Sequence, residues 1–332
     1  MYSVRPFNPT DQEYEIGVAL SALANPNTRP STVDQWKETS DTWDANYHYQ
    51  RFVIERNSAD ETKEIVAVGT IFEAFWSHTS GEYTFWINVH PDFAERAVFR
   101  LIYDHMVNSV ANRTPKPTKL LTVSSENLTA KIQFLLDQGF EQTQHLSKLG
   151  LAVPDFDHAP HAGEEEKLAA EGICIYTLSQ LEKLDSDWKE KLYQLRIMLE
   201  EEESGIGSTS LTLPQFEENY LQDPALDPEA WWVAIDTRTA SEQNIGTYIG
   251  YSNLWLNDEA RQRLDSGMTG VLRRYPVQQI GKLLILKGIE YGQRHGSEQI
   301  VTNDDEHSPF VDVNEELGFK HLIGAVRFAK TV

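Results

Sequence analysis

The residues whose types and spacing suit chemistry cluster between Thr269 and Phe319. Thr269-Gly270-Val271-Leu272 reads as a strand end, and Pro276-Val277-Gln278-Gln279-Ile280-Gly281-Lys282 leads from it into an apolar helix. A strand feeding a helix N-terminus leaves several backbone N–H groups unpaired, and the helix dipole adds positive potential, so such a turn suits an anion. Gly281 lets the backbone approach a ligand closely. Lys282, Arg273 and Arg274 are the cations near it. Asp265 stands just before the strand end, as a turn residue of Asp265-Ser266-Gly267 or as a general base. Asn303 closes a second strand, and Asp304-Asp305-Glu306-His307 follow it as a helix cap or as ligand contacts. Asn314 can donate a hydrogen bond but holds no proton to give away at neutral pH.

Other groups read differently. Glu200 to Glu203 end a helix, where four carboxylates oppose the dipole; the run is a solvated helix end or an attractor for a cationic amine. His158 and His161 lie in a polar stretch with no fixed geometry, and no metal is expected there. Cys174 is the single cysteine, which excludes an internal disulfide and a cysteine-built metal cage. Trp231, Trp232 and Trp255 read as core.

The elements that must position these groups come from a chain of 332 residues, long enough for two domains. Lys and Arg number 29 against 51 Asp and Glu, a net charge of −22. Such a chain repels phosphate backbones and anionic lipid, so neither nucleic acid nor membrane is expected as a partner. Without an apolar leader at its start the chain reads as cytoplasmic. The Pro/Gly-marked polar stretch from Pro154 to Gly172 predicts a boundary: one domain over 1–154, a linker over 155–172, a second domain over 173–332.

The two halves repeat one order of elements. Each opens with a short strand (Tyr2 to Phe7; Ile173 to Leu178) and an amphipathic helix (Gln12 to Ala24; Leu181 to Glu201). Three strands follow in each, then a helix (Glu95 to Asn112; Gly281 to Arg294) and a strand (Lys119 to Val123; Gln299 to Thr302). A short helix then ends at Gly139-Phe140 or Gly318-Phe319, before one or more final strands. This order and spacing predict a tandem duplication.

The stretch from Thr269 to Phe319 resembles the GNAT-type N-acetyltransferase superfamily, whose members carry a T-G-V strand end and an Arg/Gln-x-x-Gly-x-Gly/Ala loop. A helix, a strand ending in Asn and a terminal Leu-Gly-Phe complete the pattern. The tandem arrangement is similar to that of the mycothiol synthases. The resemblance implies an α+β fold: two GNAT-like acyl-CoA N-acyltransferase domains, each a twisted, mostly antiparallel sheet flanked by helices. It implies acetyl-CoA as co-substrate and no metal. Thr269, Gly270, Val271 and Leu272 would meet the pantetheine arm, Gln278, Gln279, Ile280, Gly281 and Lys282 the pyrophosphate, and Asn303 and His307 would lie near the arm. Asn314 holds the position of the family's general acid, and Asp265 is the candidate base.

This chain departs from the pattern at Pro276 and Gln279, the latter expected to strain a backbone that glycine would relax. In the first half Ala94 to Phe99 keeps no glycine at all, so coenzyme A is expected in the second half only. The expected activity is acetyl transfer to a small-molecule amine, by a monomer or homodimer. The alternatives are a catalytically silent binding or scaffold protein and an aminoacyl transferase of the peptidoglycan-bridge type.

Overall fold

The computed structural model describes residues 2–24, 31–57, 63–74, 79–204, 212–242, 244–256 and 262–332, without the side chains of 203 and 204. Hydrophobic patterning in the first half produces β1 (Tyr2–Pro6), α1 (Asp11–Ala24), α2 (Val33–Thr42), β2 (Tyr49–Asn57), β3 (Lys63–Phe72) and β4 (Glu82–Val89). Helix α3 (Arg96–Val110), β5 (Lys119–Ser125), α4 (Thr129–Asp137) and β6 (Glu141–Ala152) complete it. Glu82–Val89 alternates half-buried or exposed with buried positions almost residue by residue, the period of a strand with one face on the core. Helix α2, absent from the repeat pattern, is secured by a capping box between Thr32 and Gln35.

The second half contributes α5 (Glu164–Ala170), β7 (Ile173–Thr177), α6 (Leu178–Leu184), α7 (Trp188–Ser204) and α8 (Leu213–Phe216). A π-helical turn, Glu217–Leu221, extends α8. Then come β8 (Leu226–Asp236), β9 (Thr247–Leu256), β10 (Arg263–Val271), α9 (Val277–Arg294), β11 (Gln299–Asp305), α10 (Pro309–Glu316), β12 (Lys320–His321) and β13 (Ala325–Thr331). The expected single helix from Leu181 to Glu201 is two. Asp185 leaves helical geometry at φ −140°, because its buried carboxylate accepts from the Asp187 N–H, Lys191 and the Tyr248 hydroxyl. Leu184, expected on the apolar stripe, is consequently exposed.

Two compact units result, and their limits differ from the expected ones: residues 1–146 with 323–332, and residues 147–322. The stretch expected as a linker carries α5 and lies inside the second unit, where Leu168 joins the core. The cause is an exchange of strands. In the first unit the order is β1-β2-β3-β4-β5-β13-β6, so the chain's last strand fills a slot between two strands of the first half. Val326 and Phe328 of β13 are buried in that core. In the second unit the order is β6-β11-β10-β9-β8-β7, with β12 against β6; here Ser147–Ala152 provides the interposed strand.

Within each unit the strands pair mostly antiparallel, with β4 and β5 parallel in the first and β10 and β11 parallel in the second. Those parallel pairs matter most. Strands β4 and β5 pair only from Glu82↔Lys119 to Thr84↔Leu121, and β10 and β11 only from Arg263↔Gln299 to Asp265↔Val301. Beyond these points the strands part and leave a wedge in each unit. No helix among the described residues is long and apolar enough to cross a membrane.

Candidate functional site

The two wedges are built alike and finished differently. In the first unit β3 and β4 pair without interruption from Ala67↔Val89 to Phe72↔Thr84. The buried Thr122 hydroxyl donates across the opening to the Phe85 carbonyl at 2.7 Å. Lys131 of α4, 5% exposed, donates to the Val123 carbonyl at 3.0 Å. Burial pushes its ammonium down to about 8. Two carbonyls of this wedge, those of Phe85 and Val123, are thus met by the unit's own side chains. At the following helix, Phe99 fills the glycine position and stacks on Phe134 with ring centroids 5.8 Å apart.

In the second unit, β9 and β10 carry a bulge. Ser266 pairs with Leu254 and Thr269 with Ser252, so Gly267 and Met268 stand opposite the single residue Asn253. A bulge breaks the regular ladder and re-aims the strand's backbone groups. Asn253 stabilises it by accepting the Met268 N–H on Oδ1 at 3.0 Å. The Thr302 hydroxyl, the counterpart of Thr122, goes to Asp304 at 2.9 Å instead of across the opening. Beneath the bulge lies a void of about 20 Å³, bordered by Ser266, Thr269, Thr302 and Asn314, enough for one water.

Of the candidate residues, Thr269 and Asn314 thus border the same void. Asn314 is buried and donates to Asp304 at 3.2 Å, an oxygen that also accepts from Thr302. Gly270 and Val271 continue β10, and Leu272 closes onto Ile249 through its N–H. The remaining candidates lie elsewhere. Asp265 sits on the closed, paired part of β10, ion-paired to Arg263 at 2.8 Å. Asn303 is exposed, and the His307 side chain is 88% exposed.

The helix expected over Gly281 to Arg294 starts four residues earlier: α9 is an eighteen-residue helix whose N-cap, Pro276, makes no side-chain cap. Val277, Gln278 and Gln279 form its first turn, and such N–H groups have no partner within the helix. Gln279 is thereby helical, and the strain expected of a left-handed conformation does not arise. Gly281 is required for another reason than ligand approach: a Cβ there would overlap the Phe310 ring of α10.

A cavity of about 380 Å³ opens beside this turn, bordered by Gln278, Gln279 and Lys282 but also by Glu164, Glu171, Asp312 and Glu316. Lys282 is pinned between Glu316 at 2.8 Å and Glu164 at 3.2 Å. Burial works against its charge, yet hydrogen bonds to Glu316 and Glu164 raise its pKa. The first turn of α9 and the cation suit a pyrophosphate, and the carboxylates oppose one.

The acidic helix end is only partly solvated. Glu202 accepts the Arg273 N–H at 2.8 Å, and Glu200 holds Arg196 at 2.8 Å. The loop Gly205 to Leu211, which follows it, lies outside the described residues. Arg196 itself stacks on Tyr220 and donates to its hydroxyl at 3.1 Å. Asn253 at the bulge escapes sequence reading, because nothing local marks a strand residue as facing a bulge. Among the described residues no group of three or more His, Cys, Asp or Glu is arranged to hold a metal.

Two parted parallel strands, a bulge on one of them and a helix starting at their mouth define the class: this chain has the tandem GCN5-related N-acetyltransferase fold. It is similar over its whole length to a tandem GNAT protein from the clavulanic acid biosynthesis pathway, with 17% identity, a TM-score of 0.68 and 98% of that chain covered. A GCN5-related N-acetyltransferase from Sphaerobacter thermophilus matches 99% of this chain at 14% identity and TM-score 0.67, over 95% of its own. Saccharomyces cerevisiae N-myristoyltransferase with bound myristoyl-CoA matches 99% of this chain and 78% of its own at 12% identity and TM-score 0.54. No protein-family model and no curated protein sequence matches the chain.

Proposed function

We propose that the second unit transfers an acyl group, acetyl in the simplest case, from a coenzyme A thioester to the amine of a small molecule. The observation that carries this reading is the asymmetry of the wedges: only the second unit has both a bulged β10 and a wedge free of a bridging hydroxyl. The parted strand offers backbone groups to the pantetheine amides, and fixed N–H donors stabilise the oxyanion that forms when the amine attacks the thioester carbonyl. A C–N bond forms, the C–S bond breaks, the amine loses a proton and the thiolate gains one. Buried and hydrogen-bonded to Asp304, Asn314 is a hydrogen-bond donor to the site and not its acid.

A second reading is favoured by one feature, the carboxylate-ringed Lys282: a catalytically silent binding or scaffold protein of this fold that no longer holds coenzyme A. A thermal-shift titration separates the two. Acetyl-CoA that binds the native state must raise the melting temperature. A rise with both acetyl-CoA and free coenzyme A supports the proposed function, and no rise at millimolar acetyl-CoA supports the second reading.

A further inference from the structure

Helix α5 lies at the mouth of α9 and is lightly fastened there. Of its seven residues Leu168 alone is buried, joining the second unit's core. Glu164 and Glu165 reach α9, where they pair with Lys282 at 3.2 Å and with Lys287. Ion pairs that reach solvent add little to stability, so one buried leucine does most to hold the helix in place. The chain is anchored more firmly on either side. Gln293 of α9 donates to the Val153 and Phe156 carbonyls at 3.0 and 2.9 Å, and Ile173 opens β7 in register with Asp236. Between these anchors Gly163 and Gly172 bracket α5 at φ +84° and +82°, a conformation that glycine adopts without strain.

What α5 covers is the place a phosphate would need. Glu164, Lys167, Leu168 and Glu171 form one wall of the cavity of about 380 Å³ that Gln279 and Lys282 of α9 also border. Glu164 and a phosphate compete for the same Lys282 ammonium, and the carboxylate repels an anion from a helix turn whose N–H groups attract it. Of the carboxylates around the cavity, Glu164 and Glu171 move with α5, while Asp312 and Glu316 belong to α10 and stay.

We propose that α5 is an autoinhibitory strap on the donor site. Closed, as in this structure, it ties Lys282 to Glu164 and walls the mouth of α9 with carboxylates. Open, about Gly163 and Gly172, it leaves the cation and the helix turn to the phosphates of a coenzyme A thioester. The inference rests on the proposed acyl transfer for the identity of that ligand. A ligand that binds only the open state has its affinity reduced by the fraction of chains that are open. A change that loosens α5 and leaves its charges in place therefore tightens binding, the reverse of what a lost wall contact does.

Calorimetry of the full chain with coenzyme A tests this. Leu168→Ala removes the buried anchor, keeps every charge and is expected to bind coenzyme A about tenfold more tightly than the unaltered chain. Lys287→Gln frees Glu165 from outside the cavity, and although it removes a positive charge it should tighten binding about twofold. It carries the test where Leu168→Ala does not fold. Hydrogen exchange reads the motion itself: with coenzyme A bound, amides of 164–171 in the unaltered chain should exchange faster than without it. Binding that is equal or weaker in the variants, or unchanged or slower exchange over 164–171, overturns the strap and leaves the proposed acyl transfer standing. No binding by any of the three chains overturns both.

Discussion

Gly281 of α9 lies directly under the ring of Phe310 in α10, so closely that any side chain at the glycine would overlap the phenyl group. In the first unit the corresponding helix carries Phe99, itself buried and stacked on Phe134. The glycine that closes the loop motif is thus held by helix–helix packing, whatever it does for a ligand. Gly281→Ala is expected to destabilise the second unit by about 1–3 kcal/mol through overpacking. Adding Phe310→Leu should return part of that loss, which urea unfolding of both singles and the double variant measures as a coupling energy.

The exchange of strands makes the first unit depend on the last residues of the chain. Phe328, 1% exposed, lies in the first unit's core although the second half encodes it. Phe328→Ala is expected to cost about 3–5 kcal/mol. Hydrogen exchange locates the effect: amides of β5, which pairs with β13 from Lys119↔Thr331 to Ser125↔Ala325, should lose protection. Loss confined to the second unit would contradict this arrangement.

Lys131 places a cation in the first unit's wedge with the Val123 carbonyl as its partner. Its folded pKa of about 8 lies below the ordinary 10.5, so between those values the unfolded chain binds more protons than the folded one. Stability from this group therefore rises with pH across that window and is lost as pH falls toward 8. Lys131→Met should remove that rise and raise stability at pH 7 by up to about 2 kcal/mol, since a buried charge gives way to an apolar chain of similar length. Urea midpoints at pH 7 and pH 10 for both proteins provide the check.

Lys282 meets two carboxylates where a pyrophosphate would need a free cation. Neutralising both, as Glu164→Gln with Glu316→Gln, should tighten binding of coenzyme A by roughly three- to tenfold, the scale of a charge at a partly exposed helix start. Calorimetry at low and high salt tests this, and the gain should shrink as salt rises. An unchanged affinity would show that Lys282 takes no part in holding the ligand.

Much of this protein is legible in its residues alone. The repeated order of elements, the strand end at Thr269 to Leu272 and the helix after Pro276 follow from apolar periodicity and turn chemistry, which are local. The departure of the first half from the loop motif is equally local, because Phe99 in place of glycine declares itself at one position. The limits of the units are not local. A strand of seven residues has no side chain that says which sheet it joins, and pairing of β13 with β5 and β6 is settled by long-range backbone hydrogen bonds. The same holds for the site. Asn253 reads as one more polar residue in a strand until the bulge sets Gly267 and Met268 against it, and Trp231 reads as core, which it is. Asp265 and His307 are apt residues by type, yet β10 leaves one on its paired segment and the turn after β11 leaves the other in solvent. Residue type determined what chemistry the chain can offer; the register of neighbouring strands decided which of those groups meet, because a bulge moves every later side chain relative to its partner.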